Sequence, residues 1–117
     1  MKPVEKIAVI DIGSNSCRMV IYERSGAALI PYFNEKAMAG LGRDLSETGR
    51  LSPSGQELAL KTFPRFRAIT ASLNIRDIRA VATAAVREAD DGPDFKARAE
   101  RILCVSIKIL SGAAHSP

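Results

Sequence analysis

The chain has 117 residues, of which 46% are hydrophobic and 26% charged, with a net charge of +4. This composition is typical of one globular domain, and it excludes disordered, collagen-like and coiled-coil chains. No apolar run approaches the roughly 20 residues that cross a bilayer, and the first residues do not resemble a secretory leader. We therefore expect a cytoplasmic protein without membrane contact.

The positive charge suits an anionic partner. Aromatic residues make up only 5% of the chain and Trp is absent. Because nucleic-acid bases would have few aromatic side chains to stack on, we expect no nucleic-acid partner. Cys17 and Cys104 form no CxxC pair and are too few for a disulfide framework, which predicts two buried free thiols. A zinc site is not expected from the single histidine, His115.

The first elements in the chain are three predicted strands. Residues 7–10 form a continuous apolar run that ends at Asp11, which predicts a buried strand followed by a turn. Residues 17–22 are rich in strand formers, and residues 27–33 predict a third strand whose Pro31 suits a sheet edge. Because too few residues separate these strands to hold helices, we predict an antiparallel meander.

A loop and a long helix follow. Residues 35–52 carry three glycines and scattered charges, which predicts a loop with room for a short helical piece. Ser52 and Pro53 are typical of a helix start, and apolar residues then recur every three or four positions as far as Leu73. Pro64 lies inside this pattern, so it should kink the helix or leave a carbonyl unbonded.

The remaining residues alternate between strands and helices. Residues 75–82 predict a fourth strand, and residues 105–110 alternate in the same way and predict a fifth. Between them a helical stretch opens at 84–88, is interrupted at 90–93 and resumes over 94–103. The predicted order is β-β-β-α-β-α-β, an α/β fold with a mixed five-stranded sheet.

The loop between the first two strands is the first candidate site. It lacks the following helix that a Walker loop or a dinucleotide fingerprint requires. Gly13 lets backbone amides approach an anion closely, and Ser14, Asn15 and Ser16 add hydroxyl and amide donors. Asp11 can hold a hydrated Mg²⁺. The alternative is an ordinary hairpin turn with an acid at its start.

Arg87 is the second candidate. It falls in the first turn of a predicted helix, where the helix dipole disfavours a cation. A bound anion would explain this placement, because an arginine can clamp a phosphate with two parallel hydrogen bonds. The alternative is an exposed arginine that pairs with Glu88 or Asp91.

Three motifs together resemble one family. Residues 8–21, Ala-Val-Ile-Asp-Ile-Gly-Ser-Asn-Ser-Cys-Arg-Met-Val-Ile, strongly resemble the opening of the exopolyphosphatase/guanosine pentaphosphate phosphohydrolase family. Residues 82–89, Ala-Thr-Ala-Ala-Val-Arg-Glu-Ala, resemble its second motif, and 107–112 resemble the strand that leads into its third. Gly-Leu-Gly at 40–42 also fits the family's spacing. The first motif is shared loosely with actin, sugar kinases and heat-shock ATPases, whereas the order of all three is far more specific.

The resemblance implies a fold, an activity and a set of site residues. It implies that residues 1–117 are one N-terminal domain with the actin-like ATPase (ribonuclease H-like) fold. It also implies Mg²⁺-dependent hydrolysis of the terminal phosphate of polyphosphate or of guanosine pentaphosphate. Carried over by position, Asp11, Gly13, Ser14, Asn15 and Ser16 match the family's first phosphate loop, and Arg87 matches a phosphate-contacting arginine. Within this loop we expect Asp11 to hold the metal and the other residues to bind phosphate.

The chain departs from the family pattern after residue 112. The family has a Glu-Glu-Ala-Arg segment there with its catalytic glutamate, whereas residues 113–117 contain no acid, and His115 is poorly placed to act as a base. The family's second actin-like half, with a further phosphate loop, is also missing. We therefore expect a truncated and catalytically incomplete chain. The alternatives are a phosphate-binding remnant or self-associating module, or an actin-like ATPase or sugar kinase that would need the missing half.

Overall fold

Five strands and four helices make up the computed structural model, which describes residues 4–111. The strands are β1 Lys6–Ile12, β2 Cys17–Ser25, β3 Ala28–Ala37, β4 Asp77–Ala82 and β5 Ile107–Ile109. The helices are α1 Leu45–Thr48, α2 Pro53–Ser72, α3 Ala84–Glu88 and α4 Gly92–Leu103. Within the described residues, no helix combines the length and the apolar character that a bilayer crossing needs.

The strands form one mixed sheet in the order β3-β2-β1-β4-β5. β1, β2 and β3 pair antiparallel, while β4 runs parallel to both β1 and β5. This confirms the predicted meander and the predicted α/β class. The arrangement places the carboxyl ends of β1, β4 and β5 at one edge of the sheet, where such folds bind ligands.

Several element boundaries differ from the sequence predictions. β3 runs to Ala37 instead of residue 33, because Glu35 and Lys36 continue the pairing with β2 although they are charged. α4 begins at Gly92 instead of residue 94, with Pro93 in its first turn, where a missing N–H costs nothing. β5 is shorter than predicted.

α2 confirms the predicted helix start and its buried face. The Ser52 side chain accepts a hydrogen bond of 3.1 Å from the amide of Gly55, which caps the helix. The helix continues through Pro64, which lies on the exposed side. Because proline has no N–H, the carbonyl of Leu60 lacks its intrahelical partner. Water can serve that carbonyl on an exposed face, so the helix need not end there.

One core joins the sheet to α2 and α4. Alternate residues of β1 — Ala8, Ile10 and Ile12 — are fully buried, as period-two alternation requires. Phe63 of α2 and Phe95 of α4 pack with their ring centroids 6.3 Å apart. The residue between Ile10 and Ile12 is Asp11, which therefore projects to the opposite face and is exposed. The alternation that builds the core thus leaves Asp11 available for chemistry.

Candidate phosphate-binding site

A tight turn joins β1 to β2. The last pair of the ladder is Ile12 with Cys17, and the amide of Gly13 donates to the carbonyl of Ser16 at 2.9 Å. On the other side of β1, the amide of Thr83 donates to the carbonyl of Ile12 at 3.1 Å. The turn therefore lies where the carboxyl ends of two parallel strands meet.

The backbone amides of this turn are the main feature of the site. Since Gly13 already donates to Ser16, its own amide is not free for a ligand. Within residues 4–111, the amides of Ser14, Asn15 and Ser16 have no hydrogen-bond acceptor. Successive unpaired amides in a turn form a concave site for an anion. The sequence predicted that backbone amides near Gly13 bind an anion. In the structure, the available amides are those of the three residues that follow Gly13.

These residues line a pocket of about 240 Å³. The pocket brings together five of the six predicted site residues; its wall consists of Asp11, Gly13, Ser14, Asn15, Ser16, Arg18 and Thr83. The lining residues therefore bring one carboxylate, several hydroxyl groups and a guanidinium, together with the three unpaired amides, to one pocket. Such a lining can hold a phosphate together with a cation.

Arg87 is the predicted site residue that does not line this pocket. Its Nη1 donates to the carbonyl of Leu110 at 2.8 Å, and its Nη2 pairs with Glu88 at 2.8 Å. The pairing with Glu88 is the alternative that the sequence left open. The expected conflict with the helix dipole does not arise, because α3 has only five residues and Arg87 lies in its last turn. A role for Arg87 in phosphate contact stays a prediction.

A glycine-rich loop, residues 40–42, is hydrogen-bonded to the turn. The amides of Gly40 and Gly42 donate to the carbonyls of Asn15 and Ser14, each at 3.0 Å. A methyl group at position 42 would lie 3.1 Å from the Cβ of Ser14. The Gly-Leu-Gly spacing was noted in the sequence without a role. In the structure it permits close contact between two loops, and its hydrogen bonds use carbonyls of the turn and none of its amides.

Sequence reasoning missed Arg18 and Thr83. Arg18 pairs with Asp11 across the β1–β2 ladder, a position that follows once the turn is known to close at residues 12 and 17. Thr83 is the N-cap residue of α3, but its side chain makes no capping bond, so the hydroxyl is free to face the pocket. Only the parallel pairing of β1 with β4, which is not local in sequence, places Thr83 beside Gly13.

Cys17 lies directly behind the turn and is fully buried. Burial, with a smaller contribution from the charge of Asp11, raises the pKa of its thiol to about 12. A thiol with this pKa stays neutral near neutral pH, and the thiolate is the form that attacks or binds metal. Cys17 is therefore a packing residue and not a nucleophile.

The donors of the pocket fit a magnesium ion that arrives with phosphate. Within the described part of the chain, no three His, Cys, Asp or Glu side chains cluster as a metal cage would require. Mg²⁺ typically uses one or two carboxylates, several waters and the oxygens of a substrate phosphate. Asp11 and the serine hydroxyls offer hard oxygen ligands of this kind. His115, considered as a base, lies outside the described residues.

Comparisons with known proteins agree on one family. The model of the Ppx/GppA phosphatase family matches residues 19–116. Exopolyphosphatase 1 of Mycobacterium tuberculosis (strain ATCC 25618 / H37Rv) is 26% identical over 112 residues, which are 95% of this chain and 33% of that protein. The guanosine-5'-triphosphate,3'-diphosphate pyrophosphatase of Aeromonas hydrophila is 33% identical over 105 residues, 90% of this chain and 21% of that protein. The chain thus spans a third or less of these relatives.

A solved structure agrees with the predicted fold. The crystal structure of the Aquifex aeolicus member of the Ppx/GppA family superimposes with a TM-score of 0.87 at 26% identity, over 94% of this chain and 36% of that one. The sheet order and this match show the actin-like ATPase fold. On its sequence and its structure, the chain belongs to the Ppx/GppA phosphatase family.

Proposed function

We propose that this chain is the part of a phosphoric anhydride hydrolase that holds the terminal phosphate of polyphosphate or of guanosine pentaphosphate. The observation that carries the proposal is that Ser14, Asn15 and Ser16, whose amides have no acceptor in the described residues, line the pocket that also contains Asp11. The printed names of the relatives, an exopolyphosphatase and a pyrophosphatase of a guanosine polyphosphate, support this substrate class.

Each group of the pocket has a distinct role in this proposal. The three amides bind the non-bridging oxygens of the terminal phosphate, where charge develops during transfer. The hydroxyl of Thr83 adds a donor from the neighbouring strand. Asp11 would hold Mg²⁺ through its carboxylate, and the ion would supply positive charge that offsets the charge of the phosphate. Arg18, opposite Asp11, offsets the charge of that carboxylate, so the pocket does not repel a polyanion.

We further propose that these 117 residues bind phosphate without hydrolysing it. Asp11 is the one acid that lines the pocket in the described residues, and it is assigned to the metal. No acid follows in residues 113–117 to activate a water. Phosphate release from polyphosphate with Mg²⁺ should equal that of buffer. The proposed compartment is the cytoplasm, which suits the free thiols of Cys17 and Cys104.

Isothermal titration with orthophosphate, with and without Mg²⁺, tests the proposal. The wild-type chain should bind orthophosphate, and Mg²⁺ should tighten the binding. Asp11→Asn should bind more tightly than wild type without Mg²⁺, because it removes a repelling charge, and should lose the response to Mg²⁺. Asp94→Asn removes an exposed acid on α4 and should behave as wild type. Absence of binding, or a normal Mg²⁺ response in Asp11→Asn, would contradict the proposal.

A further inference from the structure

A second and larger pocket adjoins the phosphate loop. It has a volume of about 570 Å³ and shares Ser14 and Asn15 with the first pocket. Its remaining wall consists of Met38, Gly40, Gly42 and Arg43. Consecutive phosphates of an anhydride share a bridging oxygen, so the sites that bind them must lie next to each other. These two pockets meet that condition.

Arg43 supplies the positive charge of this second pocket. Its guanidinium lies against Gly40, where an added Cβ would stand only 2.7 Å from Nη2. Gly40 has a φ of 68°, a conformation that favours glycine, and the absence of a side chain at this position leaves room for the guanidinium. The glycine therefore provides the space in which this guanidinium lies beside the turn.

The guanidinium of Arg43 also lacks an acidic partner. Arg50, Arg65, Arg79 and Arg87 each pair with a carboxylate, whereas no carboxylate within residues 4–111 pairs with Arg43. Its one side-chain hydrogen bond to the described part of the chain is a long contact of 3.5 Å to the hydroxyl of Ser54. A planar guanidinium with most of its donors unused is well suited to bind phosphate oxygens in pairs.

We propose that Arg43 is a specificity-determining residue that binds the second phosphate of a phosphoanhydride chain. The inference rests on the proposed function, because the first phosphate must occupy the amides of residues 14–16. It deepens that function: the site selects a chain of at least two phosphates over free orthophosphate. The recognised group is the anhydride chain, whether it belongs to an inorganic polyphosphate or to a nucleotide.

Isothermal titration of the 117-residue chain with orthophosphate, tripolyphosphate and GTP tests this inference. Arg43→Ala should weaken tripolyphosphate and GTP binding about ten-fold or more, the usual scale for a charge-assisted hydrogen bond. Orthophosphate affinity should not change. Arg43→Lys should recover part of the loss, because lysine keeps the charge but not the paired donors. The matched control is Arg76→Ala, an exposed arginine before β4 at the opposite end of the sheet.

The possible results separate the inference from the proposal beneath it. If orthophosphate binds and Arg43→Ala leaves tripolyphosphate affinity unchanged, the inference is wrong and the proposed function stands. Equal weakening of orthophosphate would place Arg43 on the first phosphate and overturn a second site. A loss confined to GTP would mean that Arg43 recognises the nucleoside, which also overturns it. If the wild-type chain binds neither phosphate, the proposed function fails and the inference fails with it.

Discussion

The hydrogen bond from Gly13 to Ser16 determines which groups of the turn can bind a ligand. It uses the first amide and leaves the next three without acceptors in the described residues, so three consecutive donors of the turn remain available to a ligand. The sequence located this turn because an acid followed an apolar run and small polar residues followed the acid. It could not show which amides are free, since that depends on the ladder register between β1 and β2.

The two cysteines should differ strongly in reactivity. Cys17 is buried, and its pKa is raised to about 12. The prediction of a second buried thiol is wrong, because Cys104 caps the end of α4 and is exposed. At about pH 8, iodoacetamide should modify Cys104 in the native chain and reach Cys17 only after unfolding in urea. Peptide mass spectrometry measures both sites. The Cys17 thiol has a higher pKa in the folded chain than in the unfolded chain. Its contribution to the free energy of unfolding is therefore fully present below pH 9.0 and falls as the pH rises towards 12. Equal labelling rates in the native state would contradict this account.

Arg87 offers a paired test of the resemblance. To bind phosphate, its guanidinium must exchange Glu88 for the ligand. Arg87→Ala should therefore weaken orthophosphate binding roughly ten-fold, while Glu88→Gln should strengthen it by freeing the arginine. Calorimetric titration of both variants gives the answer. A lower melting temperature with normal affinity in Arg87→Ala would limit this residue to its contact with Leu110.

At the level of elements, close backbone contacts fix the positions of the helices around the turn. A Cβ on Gly55, near the start of α2, would stand 2.8 Å from the carbonyl of Ala39, so the helix packs directly on the glycine-rich loop. A Cβ on Gly92 would collide with the carbonyl of Val86, which explains why a glycine begins α4. The sequence analysis placed Gly92 in a break between two helical stretches but gave no packing reason for it, because contact between α3 and α4 cannot be read from a local pattern.

The short β5 is held by Glu100 of α4. Its carboxylate accepts a hydrogen bond of 2.7 Å from the amide of Ile107 and one of 3.1 Å from Lys96. The bond from Ile107, and then that from Lys96, lowers the pKa of Glu100. Stability from this group is therefore present above the ordinary carboxyl pKa of 4.5 and is lost as pH falls through the lowered folded value.

Glu100→Gln should accordingly reduce stability at pH 7 by about 1 kcal/mol and flatten the acid side of the stability curve. Urea unfolding at several pH values between neutrality and acid measures both effects. Glu57→Gln, an exposed acid on α2, is the control and should change neither. An unchanged acid dependence in Glu100→Gln would show that the contact with β5 contributes nothing.

At the scale of the whole molecule, one face of the sheet packs against α2 and α4, and the opposite face is partly exposed to solvent. Val9, Val20 and Val81 project to the face opposite the core and are only half-buried. The edge strand β3 exposes Leu29, Ile30 and Tyr32 to 48%, 49% and 50%. The bulge at residues 21 and 22 and Pro31 limit pairing along this edge. Exposed apolar side chains are therefore a larger cause of any association than strand pairing along the edge of β3.

We expect the chain to self-associate at concentrations on the order of tens of micromolar, because contiguous exposed apolar patches drive association. Light scattering over a dilution series measures the mass directly. Replacement of Leu29 and Ile30 by Lys should shift the equilibrium towards the monomer. A constant monomer mass for the wild-type chain across this range would contradict the prediction.

Local patterns were sufficient for the elements and their order, and the family motifs indicated the fold. The extension of β3 and the start of α4 escaped prediction because pairing with β2 and packing on Val86 decide them. For the site, the sequence analysis located the turn at residues 11–16. It did not predict the second pocket beside the turn, which the glycine loop and Arg43 line. The single N-terminal domain over 1–117 stays a prediction.

The central claim is that the three amides after Gly13 bind phosphate, and amide chemical shifts measure it most directly. An orthophosphate titration of the isotope-labelled chain with Mg²⁺, followed by two-dimensional NMR, reports on every amide at once. We predict large saturable shifts for Ser14, Asn15 and Ser16, and much smaller ones for Gly13, whose amide is already bonded to Ser16. Shifts that instead map to Arg76 and other exposed cations, with residues 14–16 unmoved, would contradict the account.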